Sequence, residues 1–281
     1  MKNRITLLLI CLIALNACKS TSETVSVKAG AEAKSAKETV FSNGEQAVIW
    51  QQTSAEYVAL CHQAFNAATK QINYYNDFGS SEKPPIIIMD IDETVLDNSP
   101  YNGYLLLNNK EYSEVSWRKW TSLAQAEAIP GAKQFIEHSS TSGIPIYYIS
   151  NRSDEDLQAT IQNMNELGLP INQDNFFLKQ EGFTKSSIRD GLSKQFNIIL
   201  SIGDNLADFE EVYERQLGLN ERKEITNGMS NQFGNNYIIL PNVMYGGWRD
   251  ALENGEPSGV PQPDREDNTK FLRSFDIDQA N

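Results

Sequence analysis

Apolar positions along the chain follow two rhythms. Between residues 46 and 78 they recur every three or four positions, at Val58, Cys61, Phe65, Ala68, Ile72 and Tyr75, which predicts one long amphipathic helix with its stripe turned to a core. After Pro84-Pro85 the rhythm changes to an unbroken run, Ile86-Ile87-Ile88-Met89, as expected of a strand buried on both faces in the middle of a parallel sheet. Apolar runs return at 144–149, 197–202 and 237–240, with a shorter one near 176–178. Helical segments are predicted between them: one opened by Pro130-Gly131 and closed by Gly143, one capped by Ser153 with Asp154 and Glu155 in its first turn, and one opening at Thr184-Lys185. Strands alternating with helices in this way predict a three-layer α/β fold with right-handed crossovers.

Polar residues gather where the strands end, which is where such sheets bind ligands. The first run ends in Asp90-Ile91-Asp92-Glu93, the second in Ser150-Asn151-Arg152, and the third in Gly203-Asp204-Asn205-Leu206-Ala207-Asp208. Lys185 follows the short strand, and Pro241-Asn242 follows the last. An insertion at about 98–128, carrying Trp117 and Trp120 on a predicted helix, lies between the first two strands, the natural place for a substrate-selecting cap. Alone, Asp-x-Asp is a weak signal; Asp276-Ile277-Asp278 repeats it with no strand in front. A calcium-binding EF-hand is excluded, because Val95 and Tyr101 stand where the loop requires Gly and Glu.

The chain's 281 residues, 40% of them hydrophobic, suffice for one large or two modest domains. Residues 1–17 are set apart: a basic start, an apolar stretch too short to span a bilayer, then Leu15-Asn16-Ala17-Cys18. This predicts a bacterial lipoprotein signal with Cys18 as the lipidated residue, although Asn16 is less usual there than Ala or Ser; an ordinary secretory signal is the alternative. A flexible tether is expected over 18–44 and a single domain over 45–281, helical at its start and ending in a wrapping tail. The expected location is the cell envelope, anchored by lipid, at the outer membrane. A net charge of −13 argues against any nucleic acid polymer as partner, and a phosphate substrate would need a cation and a few placed basic groups. Cys61 has no partner for a disulfide, and His62 and His138 fit neither a histidine nucleophile nor a three-His zinc site.

Two stretches carry a resemblance. Residues 88–101, Ile-Met-Asp-Ile-Asp-Glu-Thr-Val-Leu-Asp-Asn-Ser-Pro-Tyr, and 199–209, Ile-Leu-Ser-Ile-Gly-Asp-Asn-Leu-Ala-Asp-Phe, resemble the paired signatures of class C acid phosphatases, the bacterial lipoprotein-e type within the haloacid dehalogenase superfamily. The resemblance covers about residues 45–250. It implies a Rossmann-like core with a parallel sheet and a smaller, mainly helical cap.

A phosphomonoester repels nucleophiles, so its hydrolysis needs an in-line nucleophile, neutralised oxygens and a proton for the leaving group. Asp90 is placed as nucleophile, forming an aspartyl-phosphate, and Asp92 as the acid and then the base. Mg²⁺ suits the site better than zinc. By resemblance it would be held by Asp90, the Asp92 main-chain oxygen and Asp204, with Asp208 close by; Asp204 and Asp208, four apart at a predicted helix start, would share a face. Ser150 and Lys185 would grip the phosphate. Trp117, Trp120, Tyr245 and Trp248 are candidates for an aromatic clamp, with Trp117 and Tyr245 matching the family's substrate side. The implied substrates are small phosphomonoesters, nucleoside 5′-monophosphates and aryl phosphates among them. A phosphotransferase and a non-catalytic ligand-binding lipoprotein are the alternatives, and a homodimer is left open.

Overall fold

A computed structural model describes residues 44–253. The expected signal sequence, Cys18 and nearly all of the expected tether, together with the tail beyond 253, lie outside the described residues. Within them, no helix is long and apolar enough to cross a membrane.

The described residues begin with two helices where one was expected. α1 (Glu45–Thr53) stops at Ser54, whose backbone is extended and whose hydroxyl accepts from the Tyr57 N–H, capping α2 (Ala55–Phe78). A serine in this position competes for the backbone hydrogen bonds a continuous helix would need. α2 buries Tyr57, Cys61, Phe65, Ala68 and Ile72, the predicted stripe. Then come β1 (Pro85–Met89), β2 (Leu96–Asp97), α3 (Ser99–Leu107), α4 (Glu114–Thr121), β3 (Glu127–Ala128) and α5 (Ala132–Thr141). β4 (Ile146–Ser153), α6 (Leu157–Glu166), β5 (Phe176–Lys179), α7 (Lys185–Gln195) and β6 (Asn197–Gly203) follow. α8 (Leu219–Gly228), β7 (Tyr237–Ile239) and α9 (Gly247–Glu253) complete the described chain.

Five strands form one parallel sheet in the order β5-β4-β1-β6-β7. Ile87 and Met89 face α2, α5 and α6 in the larger core cluster, while Ile86 and Ile88 face Leu192 and Ile188 of α7 in a smaller one. All four are at most 3% exposed. Burying each contributes about 1.5–3 kcal/mol, which is why the run must be apolar on both faces.

The chain moves outward from β1 to β5, then crosses back to lay β6 on the other side of β1. That reversal opens a crevice beyond the carboxyl ends of β1 and β6, the usual ligand position in such sheets. The excursion between β1 and α5 departs and returns through a two-residue antiparallel clasp, Leu96 opposite Ala128 and Asp97 opposite Glu127, and holds α3 and α4.

Candidate active site

β1 ends at Met89, and the Asp90 N–H still donates to the Ile202 carbonyl of β6 at 2.9 Å. The last rung of the sheet therefore fixes where the Asp90 side chain starts. The chain then winds tightly: the N–H groups of Val95 and Leu96 both donate to the Ile91 carbonyl, and Glu93 sits at φ 55. Glu93 is fully buried, and its carboxylate accepts from the Asn98 N–H at 2.8 Å. Burial first, then the charges of Asp92 and Asp204, push its carboxyl well above the usual range.

β6 delivers the other acids. Asp204 and Asp208 are joined by a 3₁₀ turn over Leu206–Asp208 and not by a shared α-helical face. Asn205 caps that turn, and the Asp208 carboxylate reaches back to accept from the Asn205 N–H at 2.8 Å. Reciprocal capping pulls the turn tight and brings Asp208 over Gly203, where an added Cβ would collide with the Asp208 side chain. Glycine is required there for close approach.

Asp90, Asp204 and Asp208 each offer a carboxylate oxygen, and these lie within 4.8 Å of one another. Lys185, the first residue of α7, enters from the side, its Nζ 2.5 Å from Asp90 Oδ1 and 2.6 Å from Asp208 Oδ1. Burial pulls the Lys185 ammonium down, but Asp208 and Asp90 outweigh it, so it stays charged beyond the usual lysine range. Asp90 is raised well above an ordinary aspartate, by burial first, against the lowering pull of Lys185 and with the help of the surrounding carboxylates. Asp204 is pushed up to about 7 by burial and by Asp208, despite the hydrogen bond from Asn242 Nδ2 at 2.8 Å. Three carboxylates facing one ammonium leave an excess of negative charge. Their all-oxygen donor set fits a hard divalent cation.

Asp92 points elsewhere. Its Oδ1 accepts from Arg152 Nε at 2.9 Å, Arg152 Nη2 at 2.8 Å and Asn98 Nδ2 at 2.8 Å. Its side chain is therefore not part of the carboxylate cluster. Ser150 is fully buried within β4, its Oγ accepting from the Arg152 N–H at 3.1 Å.

A cleft of about 1320 Å³ opens over these groups, and Asp90, Asp92, Lys185, Asp204 and Asp208 line it. Trp117, Tyr245 and Trp248 line its walls. Ser150 does not reach the wall, nor does Trp120, whose indole N–H donates to Asn98 Oδ1 at 2.8 Å. Sequence reasoning gave no role to Arg152 or Asn98; the only hint was an arginine, 3% exposed here, shortly after the apolar run 144–149 in an acidic chain.

A family model described as "HAD superfamily, subfamily IIIB (Acid phosphatase)" matches residues 8–248. The structure is similar to the class C acid phosphatase from Bacillus anthracis with tungstate bound, at TM-score 0.75 and 34% identity, covering 83% of this chain and 98% of that one. A second structure of the class C acid phosphatase from Bacillus anthracis gives TM-score 0.74 and 34% identity over the same shares. A curated relative, the stem 31 kDa glycoprotein of Glycine max, is 27% identical over 160 residues, 52% of this chain and 62% of that protein's length.

Proposed function

The chain belongs to the acid phosphatases of HAD subfamily IIIB, and from that premise we propose that it hydrolyses phosphomonoesters with Mg²⁺, passing the phosphoryl group through Asp90. The observation that carries this reading is the meeting of Asp90, Lys185, Asp204 and Asp208 beyond two neighbouring strands.

Asp90 attacks phosphorus in line and becomes an aspartyl-phosphate, splitting one difficult displacement into two easier ones. Lys185, already on Asp90 and Asp208, offers its charge to the phosphoryl oxygens as they approach. Asp92 gives the leaving oxygen its proton and, as a carboxylate, takes one from the water that frees the phosphate. Asp90, Asp204 and Asp208, with the Asp92 main-chain oxygen, would hold Mg²⁺, which supplies charge neutralisation at the transferring phosphoryl group. Ser150, expected from the resemblance to grip the phosphate, does not reach the cleft here and braces the Arg152 backbone by accepting its N–H.

A bound tungstate in the Bacillus anthracis relative supports an oxyanion pocket, since tungstate is tetrahedral like phosphate. Trp117 and Tyr245 on the walls support stacking with a nucleobase or aryl leaving group, an interaction of about 1–3 kcal/mol per base. Nucleoside 5′-monophosphates and aryl phosphates are the substrates proposed. The amino-terminal pattern supports attachment through Cys18 to the outer membrane; fatty-acid labelling that survives Cys18→Ser would refute that part.

The test is a panel of 4-nitrophenyl phosphate and nucleoside 5′-monophosphates, with Mg²⁺ and after chelation. Wild type is expected to turn over both, losing activity reversibly on chelation, and Asp90→Asn to be inactive while melting at or above the wild-type temperature. Full turnover by Asp90→Asn, or without any divalent cation, would overturn the mechanism.

A further inference from the structure

The three donors on Asp92 all converge on one oxygen. Arg152 gives two of them and Asn98 the third, and among the described residues no donor reaches Oδ2. A carboxyl group held this way cannot spin about its Cβ–Cγ bond, and a proton it carries has to sit on Oδ2 because Oδ1 is crowded by N–H groups. Asp92 also lines the cleft, with 17% of its side chain exposed.

The holders are themselves held. Arg152 Nη1 donates to Thr160 Oγ1 at 3.0 Å, and its guanidinium carbon lies 5.7 Å from the Trp117 ring centre. Asn98 is fully buried, and its Oδ1 accepts from the Trp120 indole at 2.8 Å, which turns its amide N–H₂ toward Asp92. Trp117 and Trp120 belong to α4, so one helix of the excursion braces both donors.

We infer that Arg152 and Asn98, braced by Trp117 and Trp120 of α4, are positioning residues that lock the Asp92 carboxyl with Oδ2 turned to the leaving-group oxygen. The inference rests on Asp92 as the proton carrier. In the step it serves, an Asp90 oxygen bonds to phosphorus as the bond to the leaving oxygen breaks. The proton on Asp92 Oδ2 passes to that oxygen, giving the free alcohol and an Asp92 carboxylate.

Proton delivery matters most when the leaving group is a poor one, so the test varies the leaving group and not pH. With the Mg²⁺-loaded enzyme, kcat/KM is measured for 4-nitrophenyl, phenyl and alkyl phosphates, alongside thermal melting. General acid assistance is worth about 10²–10⁴-fold where it is needed. Arg152→Met is expected to lose little on 4-nitrophenyl phosphate and about a hundredfold or more on the alkyl phosphate. Arg152→Lys should fall between it and wild type. Trp120→Phe, which removes the donor to Asn98 while keeping an aromatic ring against the core, should lose in the same direction and to a smaller extent; it and Arg152→Lys decide the matter if Arg152→Met does not fold. Equal loss on every substrate would mean a merely structural role and would overturn the inference. Asp92→Asn separates the two readings. If it too loses equally on all substrates, Asp92 is not the proton carrier; if it alone is steep while the Arg152 and Trp120 variants are flat, only the positioning inference fails.

Discussion

Replacing Lys185 with methionine removes the one positive charge that, among the described residues, reaches the carboxylates of Asp90 and Asp208, both within 2.6 Å of its Nζ. Methionine has similar length and fills the space, so the effect is electrostatic. Two unit charges about 4 Å apart interact by roughly 4 kcal/mol at an effective dielectric of about 20, and removing one partner of a buried ion pair costs about 3–5 kcal/mol. Some of this is relieved because Asp90 and Asp204, both raised by burial first, take up protons readily. A loss of about 3 kcal/mol remains, and at 2–4 °C per kcal/mol for a domain of this size the metal-free protein should melt roughly 6–12 °C lower. Scanning fluorimetry at low salt with a chelator measures this directly. Divalent cation added afterwards replaces the missing charge, so it should raise the melting temperature more in the variant than in wild type. A melting temperature within about 2 °C of wild type under chelation would refute the picture of Lys185 as the cluster's counter-charge.

Two further outcomes follow from single polar groups. Asp204 stands at about 7 against an ordinary 3.8, so the metal-free folded state holds a proton the unfolded chain has released; its stability falls as pH rises from about 4 to about 7. The rise in melting temperature given by Mg²⁺ should therefore be larger at pH 8 than at pH 5.5, and the reverse ranking would count against Asp204 as a ligand. Tyr148 is 1% exposed, stacks on Phe176 at 4.6 Å, and its hydroxyl has no hydrogen-bond partner among the described residues. Tyr148→Phe removes an unsatisfied group while keeping the ring, and should stabilise by about 1 kcal/mol in a urea titration; a clear loss would mean that water satisfies the hydroxyl.

The sheet was legible in the sequence because its central strands are buried on both faces. An unbroken run such as Ile86-Ile87-Ile88-Met89 would expose apolar surface anywhere but between two helical layers. The four residues that meet at the carboxylate cluster were legible too: Asp90 and Asp204 stand directly after strands, Lys185 opens a helix, and Asp208 follows Asp204 by four positions. What the sequence hid was local geometry that polar side chains impose. Ser54 divides the stretch 46–78 into two helices, and the apolar spacing read from the sequence begins only after it, at Val58. Asn205 and Asp208 cap one another into a 3₁₀ turn, where four-residue spacing suggested an α-helical face. Arg152 was passed over because its partners are distant in sequence: Asp92 is sixty positions earlier and no periodicity links them.

The narrow stem at Leu96-Asp97 and Glu127-Ala128 has an evolutionary consequence. The ends of the excursion are already joined by hydrogen bonds, so lengthening or exchanging what lies between them adds little closure entropy, and lineages can remodel this part cheaply. The same excursion carries the indole that steadies Asn98. Chimaeras that transplant a foreign segment at this stem should therefore inherit new preferences readily, yet stay fast on demanding esters only when a tryptophan arrives at position 120.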